Sequence, residues 1–388
     1  MLGVVVGSTA LVCVMSVFNG FQELMADIFT EFDSQFRVTL SDRRPFSARD
    51  SHIEALSKLP DVAVFTPVLE DRALVVRSGR QAVVTLKGVA DNFTEQTDIQ
   101  SILYGEGSPT LHIDVLEYGI LGIGLCGQLG LGISFDEPLA VYAPKRGESV
   151  NMANPMSSFN KDELNSPGLV FMVHQSKYDN QYILCSLGFA QRLFDRRGQY
   201  SAVEIKLTEH GRRSALEHAL AGTDFVVEDI YEQQGDVFRI MKVEKLIAYI
   251  FLCFILLVAS LNIIGSLSML VIDKKEDLQT MRNLGFPLSV RRRIFLYEGW
   301  MIVVCGCVAG VCLGVLLCLL QQRYGLIRMG GDSGGYIVDA YPVSMHLTDI
   351  LAILFTVTVM GGLAVYSVIR FTSTPALSPR NRVAREEN

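Results

Sequence analysis

Residues Leu246–Leu320 constrain the chain most: an apolar run, a charged turn and a second apolar run. The first run, Leu246–Ile272, is long enough to cross a bilayer with some tilt. It ends on Asp273-Lys274-Lys275-Glu276-Asp277. A short amphipathic segment follows, with Leu278, Met281 and Leu284 at helical spacing. Gly285 and Pro287 are the residues that stop a helix. Arg291-Arg292-Arg293 then leads into the second run, Ile294–Leu320. The pattern predicts a membrane helix, a surface helix on the basic side, and a returning membrane helix. A surface helix so placed passes a push from a soluble partner directly into two spans.

Two further apolar runs complete a set of four: Leu2–Phe18, which reads as a span rather than a signal peptide, and Ile350–Ile369. The loop 273–293 holds six Lys/Arg and the tail after Ile369 holds four Arg, whereas loop 321–349 holds two. Positive charge marks the cytoplasmic side, so residues 19–245 are expected outside. That segment carries 32 acids and 22 Lys/Arg, while the rest of the chain carries 9 and 12. The overall −7 thus divides into an acidic external domain and a mildly basic membrane part. Phosphate binding needs a basic patch, which makes nucleic acid a poor partner for the acidic domain.

Within 19–245 the helical spacing of Phe21, Leu24, Ile28 and Phe32 predicts a stalk continuing out of the first span. Strands are expected at Gln35–Leu40, Val62–Val68, Ala73–Val76, Ala82–Gly88, Leu139–Ala143, Leu169–His174, Gln181–Leu187 and Ala202–Leu207. Helices are expected at Ser47–Leu59, Ile120–Leu129, Gly188–Phe194 and Ser214–Leu220. Ser78-Gly79 reads as a turn, and Pro144–Gly168 as a long polar loop. Phe238–Lys245 reads as a second stalk.

Gly122-x-Gly124-x-x-Gly127 matches a dinucleotide fingerprint, but no long apolar strand precedes it and no βαβ unit follows. No Gly-x-x-x-x-Gly-Lys-Ser/Thr loop occurs, so ATP hydrolysis is not expected on this chain. The histidines show no metal spacing and there is no Gly-x-Ser-x-Gly elbow. No metal site and no catalytic residue is therefore expected. Six of the eight cysteines lie in apolar runs as small hydrophobes. Cys126 and Cys185 fall in the external domain, where they either pair or remain free; spacing does not decide between the two. Gly306, Gly310 and Gly314, four residues apart, give the third span a smooth face for close helix packing.

Several strings resemble the FtsX-like ABC transporter permeases, and among these the lipoprotein-releasing permeases LolC and LolE. They are Leu261-Asn262-Ile263-Ile264-Gly265-Ser266-Leu267, Met269-Leu270-Val271, Asp273-Lys274-Lys275, Met281-Arg282-Asn283-Leu284-Gly285 and Ile294-Phe295-Leu296. Asn19-Gly20-Phe21, Val243-Glu244-Lys245 and Pro342-Val343 extend the resemblance along the chain. It implies an α+β membrane protein: four transmembrane helices, with a large extracytoplasmic mixed α/β domain of the MacB-like periplasmic core type between helices 1 and 2. The first helix, 2–18, is expected to be N-terminally truncated.

The implied function is that of a non-catalytic permease subunit. It extracts lipoproteins from the inner membrane for a periplasmic carrier, with ATP and Mg on a separate LolD-like ATPase and with a second permease chain, identical or related. Lys274, Lys275, Asp277, Leu278, Met281, Arg282, Leu284 and Gly285 are the implied ATPase-coupling residues. By position, Phe18, Phe21, Phe251 and Ile255 would touch lipoprotein acyl chains, and Asn154, Pro155 and Phe159 would lie in a carrier-binding loop. The alternative is an FtsX- or MacB-type mechanotransmitter that regulates a cell-wall hydrolase or drives efflux.

Overall fold

A computed structural model describes residues 1–146, 158–285, 287–328 and 340–372. The chain divides into two units, Met25–Gly235 and a helical unit of Met1–Leu24 with Asp236 onward.

Eleven strands of the Met25–Gly235 unit join one mixed sheet. They are β1 (Phe36–Leu40), β2 (Val62–Arg77), β3 (Arg80–Val89), β4 (Leu103–Gly105), β5 (Ile120–Gly122), β6 (Leu139–Pro144), β7 (Phe159–Leu164), β8 (Leu169–Phe171), β9 (Tyr182–Ser186), β10 (Ala202–Leu207) and β11 (Phe225–Asp229). The spatial order is β11-β1-β10-β2-β3-β9-β5-β8-β4, with the β6–β7 hairpin attached to β2. The strand β2 spans both halves of the sheet. Its first half pairs with β10, its last turns pair with β6, and β3 runs along its other edge. Ser78 and Gly79, both at positive φ (46° and 82°), close the β2–β3 hairpin. This is the backbone that matches the twist of a two-residue hairpin.

Two apolar clusters fill the unit. Helices Ile123–Leu129 and Leu187–Leu193 pack Leu125, Leu129, Phe189 and Leu193 onto Leu69, Val75, Leu86, Val141 and Ile183. Helices Ser51–Leu56 and Arg213–Ala219 pack Ile53, Leu56 and Leu216 onto Val38, Val203 and Ile205. Side-chain caps start two of these helices: Asp50 accepts from the His52 N–H and Ser186 from the Phe189 N–H.

Three expectations for this unit need correction. Val62–Val68 and Ala73–Val76 are parts of one strand, Val62–Arg77, in which Glu70 meets Arg37 and Tyr182 rather than solvent. Ile120–Leu129 begins as β5 and turns helical only after Gly122. Pro144–Gly168 is not one loop: Phe159–Leu164 pairs antiparallel with Leu139–Pro144, Phe159 opposite Pro144. Asn154 and Pro155 lie outside the described residues. Of the two alternatives left open for Cys126 and Cys185, the structure shows the second: both are buried and both free.

In the helical unit, four helices are long and apolar enough to cross a membrane: Leu2–Thr30, Gly235–Asp273, Arg293–Tyr324 and Leu347–Arg370. Their contacts fix their relative directions. Gly306, Gly310 and Gly314 meet Val4, Ser8 and Val12 in the same order, so the first and third helices run parallel. Gly3 faces Ala259 while Gly7 faces Leu256, so the second runs antiparallel to the first. Gly299 faces Val365 while Gly361 faces Val303, so the fourth runs antiparallel to the third. The helices therefore alternate in direction. Residues 18, 246, 320 and 349 share one end of the bundle, and the turn 273–287 lies at the other.

Candidate functional site

The turn 273–287 carries the first candidate surface. Lys275–Asn283 is a separate helix, and Gly285 at φ +84° ends it. Lys274 pairs with Asp277 at 3.0 Å, both exposed. Met281 is half-buried and Leu284 is 72 % exposed, an apolar side chain at the tip of the turn. The side chains of Lys275, Leu278 and Arg282 lie outside the described set.

A second surface is the flank of the second long helix. Only 17 % of its apolar window is buried, against 44 %, 39 % and 39 % for the other three. Ile247, Ile250, Phe251, Phe254, Ile255 and Val258 form its open face. Phe251 and Ile255 are therefore on an uncovered helix, whereas Phe18 and Phe21 are half-buried on the first. Phe21 stands edge-on to Tyr341, with centroids 5.6 Å apart. The structure thus does not gather these four residues into one pocket; it separates an exposed pair from a packed pair. Phe159 begins β7 and is half-buried.

The bundle end that holds residues 18, 246 and 349 is fastened by a polar cluster that the sequence alone did not reveal. Lys245 Nζ donates to Asn19 Oδ1 at 2.7 Å and pairs with Asp349 Oδ2 at 2.8 Å. Asn19 Nδ2 donates to the same Asp349 oxygen at 2.7 Å. One ion pair and one amide thus join the first, second and fourth helices. The signal available was a lone Lys and a lone Asp at matching ends of two apolar runs.

A second polar cluster lies within the Met25–Gly235 unit. Lys87 and Glu204, each 3 % exposed, pair at 2.8 Å. The contact is one of charge, because Glu204 Oε1 accepts no directed hydrogen bond. Phe32 caps it, with the Lys87 ammonium 4.8 Å from the ring centroid. Beside it, Arg37 meets Glu70 at 2.6 Å and Tyr182 Oη donates to Glu70 at 2.7 Å.

Burial alone would raise the Glu70 pKa. The charges of Arg37 and Lys87 and the bonds from Tyr182 and Arg37 outweigh it, and the carboxyl falls to about 2. Burial would likewise lower Arg37, but Glu70 and Glu204 hold it above its ordinary value. Tyr178 is raised, first by burial and then by the charge of Asp33. Tyr178 Oη donates to Asp33 at 2.5 Å, and Gln234 Nε2 donates to the same carboxylate at 2.6 Å. Asp33 follows the first long helix and Gln234 precedes the second, so this buried network joins the two chain segments that lead to the membrane helices. A polar cavity of about 380 Å³ opens here, lined by Arg37, Glu70, Arg72, Lys177, Tyr182 and Gln233 among others. Among the described residues no group of His, Cys, Asp and Glu is arranged to hold a metal ion.

These features define a multi-pass membrane protein with an alternating four-helix bundle and one large mixed α/β domain. Residues 249–375 match the FtsX-like permease C-terminal model, and residues 1–115 match the MacB-like periplasmic core domain model. The chain thus combines an FtsX-like permease C-terminal region with a MacB-like periplasmic core region.

It is similar along nearly its whole length to lipoprotein-releasing system transmembrane proteins. LolC of Xylella fastidiosa (strain 9a5c) is 24 % identical over 94 % of this chain and 88 % of its own. LolC of Neisseria meningitidis serogroup B is 26 % identical over 90 % and 85 %. LolE of Haemophilus influenzae is 24 % identical over 91 % and 86 %. Among solved structures, the periplasmic region of MacB from Actinobacillus actinomycetemcomitans aligns with a TM-score of 0.38 at 12 % identity, over 54 % of this chain and 94 % of that one.

Proposed function

We propose that this chain is the permease subunit of an ABC transporter that extracts lipoproteins from the inner membrane and delivers them to a periplasmic carrier. The observation that carries the reading is the open apolar flank of the second long helix, in a chain similar along nearly its whole length to LolC and LolE. Removing an acyl chain from a bilayer costs about 0.8 kcal/mol per methylene, or roughly 12 kcal/mol for a fifteen-methylene chain. A flank bearing Phe251 and Ile255 offers that chain an alternative apolar surface. The energy comes from a LolD-like ATPase carrying ATP and Mg, because this chain has no Walker loop.

In this mechanism the helix Lys275–Asn283, with Lys274, Asp277, Met281, Leu284 and Gly285, docks on the ATPase. ATP biases the bundle only through a difference in binding between two states. The stalks, Phe21 to Phe32 and Phe238–Lys245, carry that bias to the periplasmic domain, where the Tyr178–Asp33–Gln234 network receives it. A second permease chain, identical or related, completes the transporter. The segment between β6 and β7, with Phe159 at its end, is the proposed carrier contact.

A second reading, mechanotransmission of the FtsX or MacB type to a wall hydrolase or an efflux duct, is favoured by the MacB-like match over residues 1–115. Affinity purification from native membranes tests both readings. Lipoprotein transport gives an ABC ATPase and lipidated proteins in the eluate, and Leu284→Asp loses the ATPase. A wall hydrolase or efflux component with no lipidated protein gives the alternative.

A further inference from the structure

The third helix continues its glycine stripe with a cysteine. Gly306, Gly310, Gly314 and Cys318 recur every four residues, and the first three meet Val4, Ser8 and Val12 of the first helix. The next step of the same register sets Cys318 against Ser16, one turn beyond Val12, and against Cys13 beside it. Both expected neighbours are present: the Cys318 side chain lies within interaction distance of the Cys13 thiol and of Ser16. A glycine at each of three preceding positions brings the two backbones into close approach. Thr9 Oγ1 donating to the Gly310 carbonyl at 2.9 Å fixes that approach.

The other cysteines of the bundle have different surroundings. Cys253 is bonded to Tyr249 and Cys307 to Thr358. Cys305 and Cys312 are exposed on the outside of the bundle. The facing pair lies close to the periplasmic end. Cys13 is five residues short of Phe18, about 8 Å of helix, and Cys318 is two residues short of Leu320. The periplasmic side is where disulfides form and persist.

We propose that Cys13 and Cys318 are a redox-closable pair that fastens the first membrane helix to the third. The oxidant is a disulfide, R–S–S–R, arriving from the periplasmic side. One cysteine, as thiolate, attacks an oxidant sulfur and expels the first R–S⁻. The second cysteine thiolate attacks the resulting mixed disulfide, forming Cys13–S–S–Cys318 and expelling the second R–S⁻. The two protons released by the cysteines end on the two R–SH products, and two electrons pass from the pair to the oxidant. The bond fixes the two helices in the register seen here and is reopened by dithiothreitol.

The test exposes cells carrying the full chain to 4,4′-dithiodipyridine, a membrane-permeant disulfide. Acid trapping, denaturation, alkylation with N-ethylmaleimide and peptide mass spectrometry follow. The expected result is a linked Cys13–Cys318 peptide carrying neither N-ethylmaleimide nor thiopyridyl, with the other cysteines unlinked and both thiols recovered after dithiothreitol. Cys13→Ser and Cys318→Ser each abolish the linked peptide and leave the remaining thiol as a thiopyridyl adduct. Alkylation of both Cys13 and Cys318 after oxidant overturns the proposal. So does linkage of Cys305 or Cys312 in place of this pair, or thiopyridyl adducts on both Cys13 and Cys318 without a bond between them.

Discussion

Gly310→Ala separates a packing role for the glycine stripe from a merely permissive one. A Cβ at position 310 would lie 2.6 Å from the Val5 carbonyl oxygen and closer still to Ser8 Oγ. Ser8 can turn its hydroxyl away, although it then loses its bond to the Val4 carbonyl at 2.8 Å. The Val5 carbonyl is backbone and cannot turn, so the first helix must move out by most of an ångström to restore ordinary contact. Overpacking of this kind costs about 1–3 kcal/mol. Stretching the Thr9–Gly310 bond adds about 0.6 kcal/mol. A total near 2.5 kcal/mol is a change of about seventyfold in the folding equilibrium.

Gly265→Ala is the matched control: nothing lies within 4 Å of its Cβ, so the substitution removes only the flexibility of a helical glycine. It should leave stability unchanged or raise it by less than about 1 kcal/mol. Both proteins would be unfolded reversibly in mixed micelles by sodium dodecyl sulfate and followed by the fluorescence of Trp300, the single tryptophan. Equal stability of the two variants would refute the argument, because helix propensity alone treats them alike.

Other consequences concern the buried polar groups of the Met25–Gly235 unit. Lys87→Met leaves Glu204 charged and unpaired and should cost about 3–5 kcal/mol, while the Lys87→Met/Glu204→Met double variant recovers most of it; a double-mutant cycle showing simple additivity would contradict the pairing. Tyr178→Phe removes one donor from Asp33 and should cost about 2 kcal/mol, seen as faster hydrogen exchange at residues 29–35 and 230–235. The depressed Glu70 pKa makes this unit acid-sensitive. The unfolded chain takes up the proton near the ordinary value of 4.5 and the folded one only near 2. The contribution of Glu70, about 3 kcal/mol, is complete above that ordinary value and is lost as pH falls from 4.5 to 2. Hydrogen exchange should follow that window in the native protein and lose it in Glu70→Gln.

The four apolar helices and most strands were legible because their periodicity is set by one dominant environment: lipid for the helices, an apolar core for the strands. The misreadings fall where that environment is mixed. Leu69-Glu70-Asp71-Arg72 looks like a turn, yet it is mid-strand. Glu70 answers Arg37 and Tyr182, which are 33 and 112 residues away, and no local pattern carries such partners. Phe159-Asn160-Lys161-Asp162-Glu163-Leu164 is polar because β7 pairs on one side only, with β6. Phe225–Asp229 was missed because Phe225-Val226-Val227-Glu228-Asp229 does not alternate, although Gly222, at φ +81°, marks a turn just before it. The glycine stripe of the third helix was visible as spacing, but its partner, Val4-x-x-x-Ser8-x-x-x-Val12, holds two valines and a serine that announce nothing by themselves. The Lys245–Asp349–Asn19 cluster needed the helix directions before its members could be brought together.

The central claim, that the open flank of the second helix receives lipoprotein acyl chains, is most directly tested by a photoreactive amino acid at Phe251 in native membranes. The account expects crosslinks to lipidated proteins that disappear when ATP is supplied. A comparison probe at buried Leu256, 3 % exposed on the same helix, should give none. Crosslinks from position 251 to bulk phospholipid alone, unchanged by ATP, would contradict it.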